Sequence, residues 1–202
     1  MLSIIDYGVG NVQAFVNIYK RLDIAVRLVR TADELCGSEK IILPGVGSFD
    51  SAMRRLEASG MRGGLDDLVL RQERPVLGIC VGMQMMARRS EEGNLPGLGW
   101  FDAEVRRFDV TGFRTKTRLP HMGWNDVKPI VHKLFGGLET SRFYFLHSYY
   151  FAVADSSQTL AITDYNGSFT SAVWRGNIFG VQFHPEKSHQ WGVRLLKNFA
   201  EI

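Results

Sequence analysis

The chain has 202 residues, of which 45% are hydrophobic and 22% charged, as in an ordinary soluble globular protein. A net charge of +3, without a long basic run, indicates neither nucleic-acid binding nor binding to a membrane surface. The length predicts one domain, residues 1–202, that forms its core without help from disulfides.

The cysteines and the N-terminal segment indicate the cellular compartment in which the protein works. Cys36 and Cys80 are too few for a disulfide framework, which favours a reducing environment. The segment Leu2–Asp6 is too short and wrongly flanked for a signal peptide, and no apolar run approaches the length of a membrane span. We therefore expect a cytoplasmic protein.

The first half of the chain alternates strands and helices. The predicted strands are Leu2–Asp6, Ile24–Val29, Lys40–Leu43 and Val76–Ile79, and the predicted helices are Val12–Arg21, Phe49–Ala58, Leu65–Gln72 and Gln84–Arg89. Asn11 and Ser48 can cap the first two helices. Repeated strand–turn–helix units need crossover connections, which predicts an α/β fold with a mostly parallel central sheet and helices on both faces.

The second half consists mainly of strands joined by short turns. The predicted strands are Phe101–Phe108, Phe143–Phe151, Thr159–Asp164, Ser171–Trp174 and Ile178–Phe183. Asn166-Gly167 and Arg175-Gly176-Asn177 are typical of hairpin turns, so the sheet is expected to become mixed here. A helix from about Gln190 to Glu201, with Ser188 available as its cap, ends the pattern.

The strongest chemical motif is Gly78-Ile79-Cys80-Val81-Gly82, in which a reactive side chain has glycine two residues away on each side. This is the layout of a nucleophile elbow, a strand-to-helix turn so sharp that only glycine avoids overlap. The turn is expected to present the sulfur to solvent and to place the Val81 N–H at a helix N-terminus, where positive partial charge favours a thiolate and an oxyanion. A buried structural cysteine is the alternative, and the two glycines favour the elbow.

A thiolate nucleophile needs a base, and the base needs an orienting group. His184 follows the apolar run Gly180–Phe183 and precedes Pro185-Glu186. In an extended segment residues two apart face the same side, so Glu186 can hold the imidazole and support its charged form. Alone, the tripeptide also fits a solvated turn. Together with the elbow it favours a triad of Cys80, His184 and Glu186.

An acyl-transfer site also needs donors for the developing oxyanion. The Val81 N–H is one candidate, and the loop Pro44-Gly45-Val46-Gly47 is the other, because its glycines let the amides turn inward. The elbow, this loop and His184 all lie at strand ends of the kind where α/β sheets bind ligands. Alone, the loop would be interpreted as an ordinary turn.

The remaining histidines and glycines indicate no metal or cofactor. His132 and His189 are expected on the surface, and His121 and His147 stand in unusual local sequences without an assigned role. No His, Cys and Asp spacing suits a closed zinc site. The turn at Gly8–Gly10 has Gln13 where a dinucleotide fingerprint needs glycine.

Together these motifs resemble the class I (triad) glutamine amidotransferases. The resemblance rests on Pro44–Gly47, Gly78–Gln84 and His184–Glu186, in the family's order. The stretches Asp6–Asn11, Pro120–Asn125, His147–Tyr150 and His184–Ser188 narrow it to glutaminase subunits that work with a (β/α)₈-barrel cyclase subunit. The resemblance extends over nearly the whole chain.

The resemblance implies a reaction and a heterodimeric partner. Cys80 attacks the side-chain amide of L-glutamine, His184, oriented by Glu186, protonates the departing ammonia, and water hydrolyses the thioester. The oxyanion is held by Val81 and by the loop at Val46 and Gly47. Family positions at the amino-acid end of the substrate correspond to Gly47, Gln84, Glu92, Ser148 and Tyr149. Ammonia passes through a tunnel to the cyclase, at an interface that corresponds to Asn11, Trp124, Tyr144 and Lys187.

The sequence leaves alternatives for the conformation of the Val46 loop and for the function. The Gly45-Val46-Gly47 loop can change conformation at low cost, so we hypothesise that the Val46 N–H turns inward only when partner and ligand bind. The alternatives for function are a subunit serving pyridoxal phosphate, guanylate or anthranilate synthesis, a stand-alone thiol hydrolase or γ-glutamyl peptidase on the same fold, and a non-catalytic subunit. The intact triad disfavours the non-catalytic alternative.

Overall fold

The structure is a computed structural model that describes residues 1–111, 118–130, 132–139 and 141–202. The α-helices are α1 (Val12–Arg21), α2 (Phe49–Ala58), α3 (Arg62–Asp66), α4 (Val81–Gln84) and α5 (His189–Glu201). The strands are β1 (Leu2–Ile5), β2 (Val26–Val29), β3 (Lys40–Gly45), β4 (Val76–Cys80), β5 (Arg89–Ser90), β6 (Ala103–Arg107), β7 (His121–Pro129), β8 (Ser141–His147), β9 (Tyr149–Val153), β10 (Thr159–Asp164), β11 (Ser168–Arg175) and β12 (Ile178–Val181).

Among the described residues, nine strands form one sheet in the order β2-β1-β3-β4-β12-β11-β10-β7-β8. The strands from β2 to β12 are parallel to their neighbours. The strands from β11 to β8 are antiparallel. A smaller sheet contains β5, β6 and β9. The predicted α/β fold, with a sheet that is parallel early and mixed late, is confirmed.

The centre of the large sheet is covered on both faces. Every residue of β1, β4 and β12 is buried, as expected of short, continuously apolar strands. Two helices pack together over the sheet, where the Tyr19 hydroxyl of α1 donates to the Leu196 carbonyl of α5 at 3.1 Å. The strand ends that carry the predicted chemistry are therefore held by a rigid core.

Several element predictions are wrong in extent, and two strands, β5 and β7, are not predicted. The helix predicted over Leu65–Gln72 is the end of α3 followed by a π-helix over Asp67–Arg71. The helix predicted over Gln84–Arg89 is α4, which lies earlier and is shorter, and Arg89 begins a strand. The strand predicted over Phe143–Phe151 is two strands, β8 and β9, which belong to different sheets and meet at Ser148. β7 was not predicted because it contains glycine, asparagine and aspartate, which are poor strand formers, and its pairing with β8 overrides that preference.

The predicted turns and caps have mixed outcomes. The hairpin turn at Asn166-Gly167 joins β10 to β11 with positive φ at both residues, as predicted. Asn11 caps α1 by accepting from the Ala14 N–H at 3.3 Å. Ser188 precedes α5 but makes no side-chain cap, and its hydroxyl donates instead to a carbonyl oxygen. In the described parts of the chain, no helix has the length and apolar character needed to cross a bilayer.

Candidate active site

The turn between β4 and α4 has the geometry predicted from its glycines. Cys80 ends the strand with φ 55° and ψ −112°, a strained conformation for a residue other than glycine. A Cβ on Gly82 would lie 2.0 Å from the Leu43 carbonyl oxygen, and a Cβ on Gly78 would lie 2.8 Å from the Gly82 carbonyl oxygen. The glycines are therefore required because α4 lies directly against β3 and β4.

The Cys80 sulfur is not open to solvent, and the prediction on this point is wrong. Only 3% of the residue is exposed, because β8 and the segment after β12 close over it. Gln182 Nε2 donates to the sulfur at 3.8 Å, and the sulfur lies 4.0 Å from the Leu146 carbonyl oxygen. Cys80 lines the cavity described below, which gives access to the sulfur.

The His184 imidazole lies between Cys80 and Glu186. Its Nδ1 is 2.9 Å from Glu186 Oε1, and both side chains are buried. Burial lowers the pKa of His184, but the charge of Cys80, a hydrogen bond to Cys80 and the Glu186 carboxylate outweigh it and raise the pKa to about 10. The segment Pro185–Lys187 is a 3₁₀ turn rather than the predicted extended segment, so the turn, not strand alternation, brings the two side chains together.

The start of the glycine loop is anchored firmly. The Tyr7 hydroxyl donates to the Pro44 carbonyl oxygen at 2.7 Å. A Cβ on Gly45 would lie 2.3 Å from the Gly82 nitrogen, so the end of β3 fits only because this position has no side chain. The loop therefore leaves the sheet at a fixed point beside the elbow.

Beyond that point the loop is more open. Val46 is 41% exposed, and Gly47 has a φ of +87° with nothing within 4 Å of an added Cβ. Val46, Gly47 and Val81 line the same cavity as Cys80. Their use as oxyanion donors stays a prediction.

A cavity of about 520 Å³ opens at this edge of the sheet, within the range of small-molecule sites. Nine of the residues predicted for the site line it: Val46, Gly47, Cys80, Val81, Glu92, Ser148, Tyr149, His184 and Lys187. They come from five separate segments of the chain. The structure thus brings together the predicted nucleophile, the predicted base and four of the five predicted substrate-binding residues.

Glu92 provides the carboxylate of the cavity. Its Oε2 accepts from the N–H of Phe49, the first residue of α2, at 2.8 Å, so it caps the helix that Ser48 was predicted to cap. Asp50 supports the loop that follows Glu92, because its carboxylate accepts from the backbone N–H groups of residues 94 and 95, each at 3.1 Å. A carboxylate held in this way is a suitable acceptor for a free α-ammonium group.

Gln84 lies behind the cavity wall rather than on it. It is 3% exposed, and its Nε2 donates to the Tyr149 carbonyl oxygen at 3.2 Å and to Gln182 Oε1 at 3.0 Å. Both amide hydrogens are thus used within the protein, where they tie together two segments that border the site. The predicted contact of Gln84 with the substrate stays a prediction.

Three of the four residues predicted at the partner interface form one surface. Trp124 on β7 is 37% exposed, and its ring centre lies 6.2 Å from that of Tyr144. Lys187 Nζ lies 5.8 Å from the centre of the Tyr144 ring, and Lys187 also lines the cavity. Asn11 stands at the N-terminus of α1.

Three buried polar side chains at the site were not assigned a role from the sequence. Gln182 interrupts an apolar run, and that interruption was a signal that could have identified it. His121 and His147 lie opposite each other on β7 and β8. No local pattern reveals their pairing, because β7 itself is not recognisable from its composition.

Comparison with known proteins places this geometry in a family. The family described as glutamine amidotransferase class-I matches residues 3–202. The chain is 58% identical to imidazole glycerol phosphate synthase subunit HisH of Bdellovibrio bacteriovorus and 51% identical to that of Leptospira interrogans, with 100% of both chains covered in each case. A solved glutamine amidotransferase structure has the same fold, with a TM-score of 0.76 at 21% identity over 99% of this chain and 97% of that chain.

Proposed function

Since the chain belongs to the class I glutamine amidotransferases and, within them, to the HisH subunits of imidazole glycerol phosphate synthase, we propose that it releases ammonia from glutamine at Cys80 for a partner cyclase. It is a glutaminase subunit of histidine biosynthesis. The observation that supports the assigned residues best is one cavity that is lined by Cys80, by His184 with its Glu186 partner, and by Glu92.

In the proposed reaction the Cys80 thiolate attacks the side-chain carbonyl carbon of glutamine, and the charge that moves to oxygen is held by backbone N–H groups. The C–N bond then breaks while His184 Nε2 gives its proton to the nitrogen, which leaves as ammonia. Water gives a proton to His184 and attacks the thioester, which releases glutamate and restores the thiolate. Glu186 holds His184 Nδ1 at 2.9 Å and so leaves Nε2 for the sulfur.

The amino-acid end of glutamine lies away from the sulfur in this proposal. The Glu92 carboxylate accepts from the α-ammonium group, and the segment Ser148–Tyr149 forms the facing wall. Gly47 leaves room at the loop, since it carries no side chain. Gln84 contributes by fixing the Tyr149 carbonyl.

The partner is a cyclase subunit of the (β/α)₈-barrel type, bound as a heterodimer. We place it on the surface of Trp124, Tyr144 and Lys187, because Lys187 belongs both to that surface and to the cavity. Ammonia released at Cys80 then enters the partner rather than water. Cys36 and Cys80 are free thiols, which fits the reducing cytoplasm that we propose as the site of action.

The open loop at Val46 supplies a means of control. Loss of one oxyanion donor costs roughly 10²–10³-fold in rate, so an outward Val46 N–H in the isolated chain would prevent waste of glutamine. Binding of the cyclase and its ribonucleotide ligand would turn this N–H inward.

The test measures glutamate release by the chain alone, with the cyclase, and with the cyclase and its ribonucleotide ligand. We expect release to rise about 10²-fold or more in the full complex, by restoration of one oxyanion donor. Cys80→Ala is expected to abolish glutamate release while synthesis from added ammonia continues, because the cyclase does not need the sulfur.

Two results would contradict this account. Equal rates with and without the cyclase would exclude gating and favour a stand-alone hydrolase. Loss of both activities in Cys80→Ala would indicate that Cys80 has a structural role.

A further inference from the structure

Two histidines that take no part in the proposed chemistry face each other beside the cavity. His121 on β7 and His147 on β8 are direct cross-strand partners, and they are 3% and 6% exposed. His121 Nδ1 lies 2.9 Å from His147 Nε2. The His121 ring stacks on Phe145 and Tyr165, with ring centres 4.6 and 3.9 Å away. The pair is therefore held in place by packing on both sides.

The groups on either side of the pair, the Tyr149 carbonyl oxygen and the Asn125 amide, determine which nitrogen of each neutral ring carries the hydrogen. His147 Nδ1 lies 2.8 Å from the Tyr149 carbonyl oxygen, which can only accept, so Nδ1 carries the hydrogen. Nε2 of the neutral ring then accepts, and His121 Nδ1 donates to it. His121 Nε2 accepts from Asn125 Nδ2 at 3.2 Å, and the second hydrogen of that amide goes to the Asp164 carbonyl oxygen at 2.8 Å. Asn125, His121, His147 and the Tyr149 carbonyl thus form a series of hydrogen bonds in which each donor has an acceptor.

The surroundings keep both rings in this neutral form. Burial lowers the pKa of His121 to about 4. Burial, together with the charges of His121 and His184, lowers the pKa of His147 to about 3, although the hydrogen bond to Tyr149 opposes this. A charged His147 could not accept from His121, so the series is complete only when both rings are neutral.

The series ends at the cavity wall. β8 ends at His147, β9 begins at Tyr149, and Ser148 lies between the two strands. All three residues line the cavity. The Tyr149 carbonyl oxygen accepts from His147 Nδ1 and from Gln84 Nε2, so it is fixed from two directions. Rotation of this backbone would leave a buried imidazole N–H without an acceptor, which is costly.

The series begins on the strand that carries the proposed partner surface. His121 and Asn125 face inward from β7, whereas Trp124 between them faces outward and is 37% exposed. The stretch Pro120–Asn125, which contributes to the family resemblance, therefore provides the buried His121 and the half-buried Asn125 to the series and the exposed Trp124 ring to the surface.

We propose that His121 and His147 are positioning residues: their neutral, hydrogen-bonded pair holds the Ser148–Tyr149 backbone in the shape that receives the amino-acid end of glutamine. This inference rests on the proposed function, since it requires glutamine in this cavity. Neither ring transfers a proton in the reaction. Loss of the pair therefore weakens glutamine binding more than it slows the chemical step.

Two replacements of His121 separate hydrogen bonding from packing. An asparagine amide nitrogen takes the place of Nδ1, and a glutamine amide nitrogen takes the place of Nε2. His121→Asn keeps the donor to His147, and its KM for glutamine is expected to stay close to that of the wild type. His121→Gln loses this donor, and its KM is expected to rise about tenfold with little change in kcat, the effect of one lost buried hydrogen bond.

The control for packing is Phe169→Leu, which trims a ring in contact with both histidines. This variant is expected to unfold at a lower temperature while its KM for glutamine is unchanged. All variants are assayed as the complex with the cyclase and its ribonucleotide ligand. A thermal unfolding curve of each variant separates loss of stability from loss of binding.

Nitrogen NMR of the chain provides a readout that needs no glutamine. Both rings are expected as neutral tautomers with the hydrogen on Nδ1. An Nε2–H tautomer of His147, or an equal rise in KM for the Asn and Gln variants, would overturn the inference while wild-type activity persists. A wild-type complex that releases no glutamate would overturn the proposed function itself, which distinguishes the two failures.

Discussion

At the level of single residues, three buried histidines lie beside one cavity. His184 is charged at neutral pH whereas His121 and His147 are neutral, because their partners differ. His184 contacts the Glu186 carboxylate and Cys80, which raise its pKa to about 10 despite burial. His121 and His147 bond to each other and to neutral groups, and burial lowers their pKa values to about 4 and 3. Burial alone lowers the pKa of a histidine and so favours the neutral ring, whereas a negatively charged partner raises the pKa. The site therefore contains one ring that can give a proton and two that only hold position.

Replacement of Glu186 by glutamine tests the origin of the His184 charge. The ordinary pKa of histidine is 6.5, and that of His184 is about 10, so the ring is charged at neutral pH and loses its proton only as the pH rises through about 10. Glu186→Gln removes one of the charges that raise the pKa, so we expect deprotonation at a lower pH. Carbon NMR of the His184 ring, recorded from pH 6 to 11, measures the shift.

Glu201→Gln, at the exposed C-terminal end of α5, is the matched control and should leave the His184 titration unchanged. An identical titration curve for Glu186→Gln and the wild type would contradict the assigned role of the carboxylate.

At the scale of elements, the elbow shows where local patterns suffice and where they do not. The glycines at 78 and 82 predict a sharp turn, and the turn is present because α4 contacts β3 and β4. The good helix formers after Gln84 predict a longer helix, but Arg88 N–H donates to the Ala103 carbonyl at 2.9 Å and Arg89 pairs with β6. Pairing with a distant strand overrides local preference here.

Gly82→Ala tests this close approach. Its Cβ would lie 2.0 Å from the Leu43 carbonyl oxygen, so we expect a loss of more than about 3 kcal/mol in the free energy of unfolding, or failure to fold. Gly99→Ala is the control, because Gly99 has a φ of +68° but nothing within 4 Å of the added Cβ, and should cost only about 1–2 kcal/mol. Urea unfolding measures both variants. Equal costs would contradict the steric explanation, because Gly82 does not have a positive φ and the close contact is the reason given for its larger cost.

The contrast between local motifs and pairing with a distant strand also explains how much of the site can be predicted from the sequence. Cys80, His184 and the loop at Val46 carry local motifs, so each could be identified from its neighbours in the chain. His121 lies on β7, whose composition resembles a loop, and its partner lies 26 positions away. Such a contact depends on strand register, which no short stretch of sequence specifies.

At the scale of the whole molecule, the cavity adjoins an exposed apolar surface. Met122, Trp124 and Leu146 are 65%, 37% and 39% exposed on the paired strands β7 and β8, and Leu146 also lines the cavity. Exposed apolar residues grouped in this way mark an interaction surface. A partner bound there would cover the cavity mouth, so that ammonia could pass into it without entering water.

Trp124→Ala tests this surface against a matched control. The exposed ring of Trp124 is expected to be a central contact, so its removal should weaken binding of the cyclase about tenfold or more. Trp174 is equally exposed, at 38%, but lies on β11, where its Nε1 donates to the Gly176 carbonyl oxygen. Trp174→Ala should bind the cyclase like the wild type. Calorimetric titration measures both affinities, and equal losses would place the partner elsewhere.

The Cys80 sulfur, though buried, is the atom that we propose attacks glutamine. The sharpest test of this role is treatment of the complex with a diazo-ketone analogue of glutamine, followed by mass spectrometry of the cysteine peptides. Cys36 is the internal control, because it is the exposed thiol and a merely reactive reagent would reach it first. We predict a label on Cys80 that excess glutamine prevents, with Cys36 unmodified. A label on Cys36, or a label on Cys80 that glutamine does not prevent, would contradict the account.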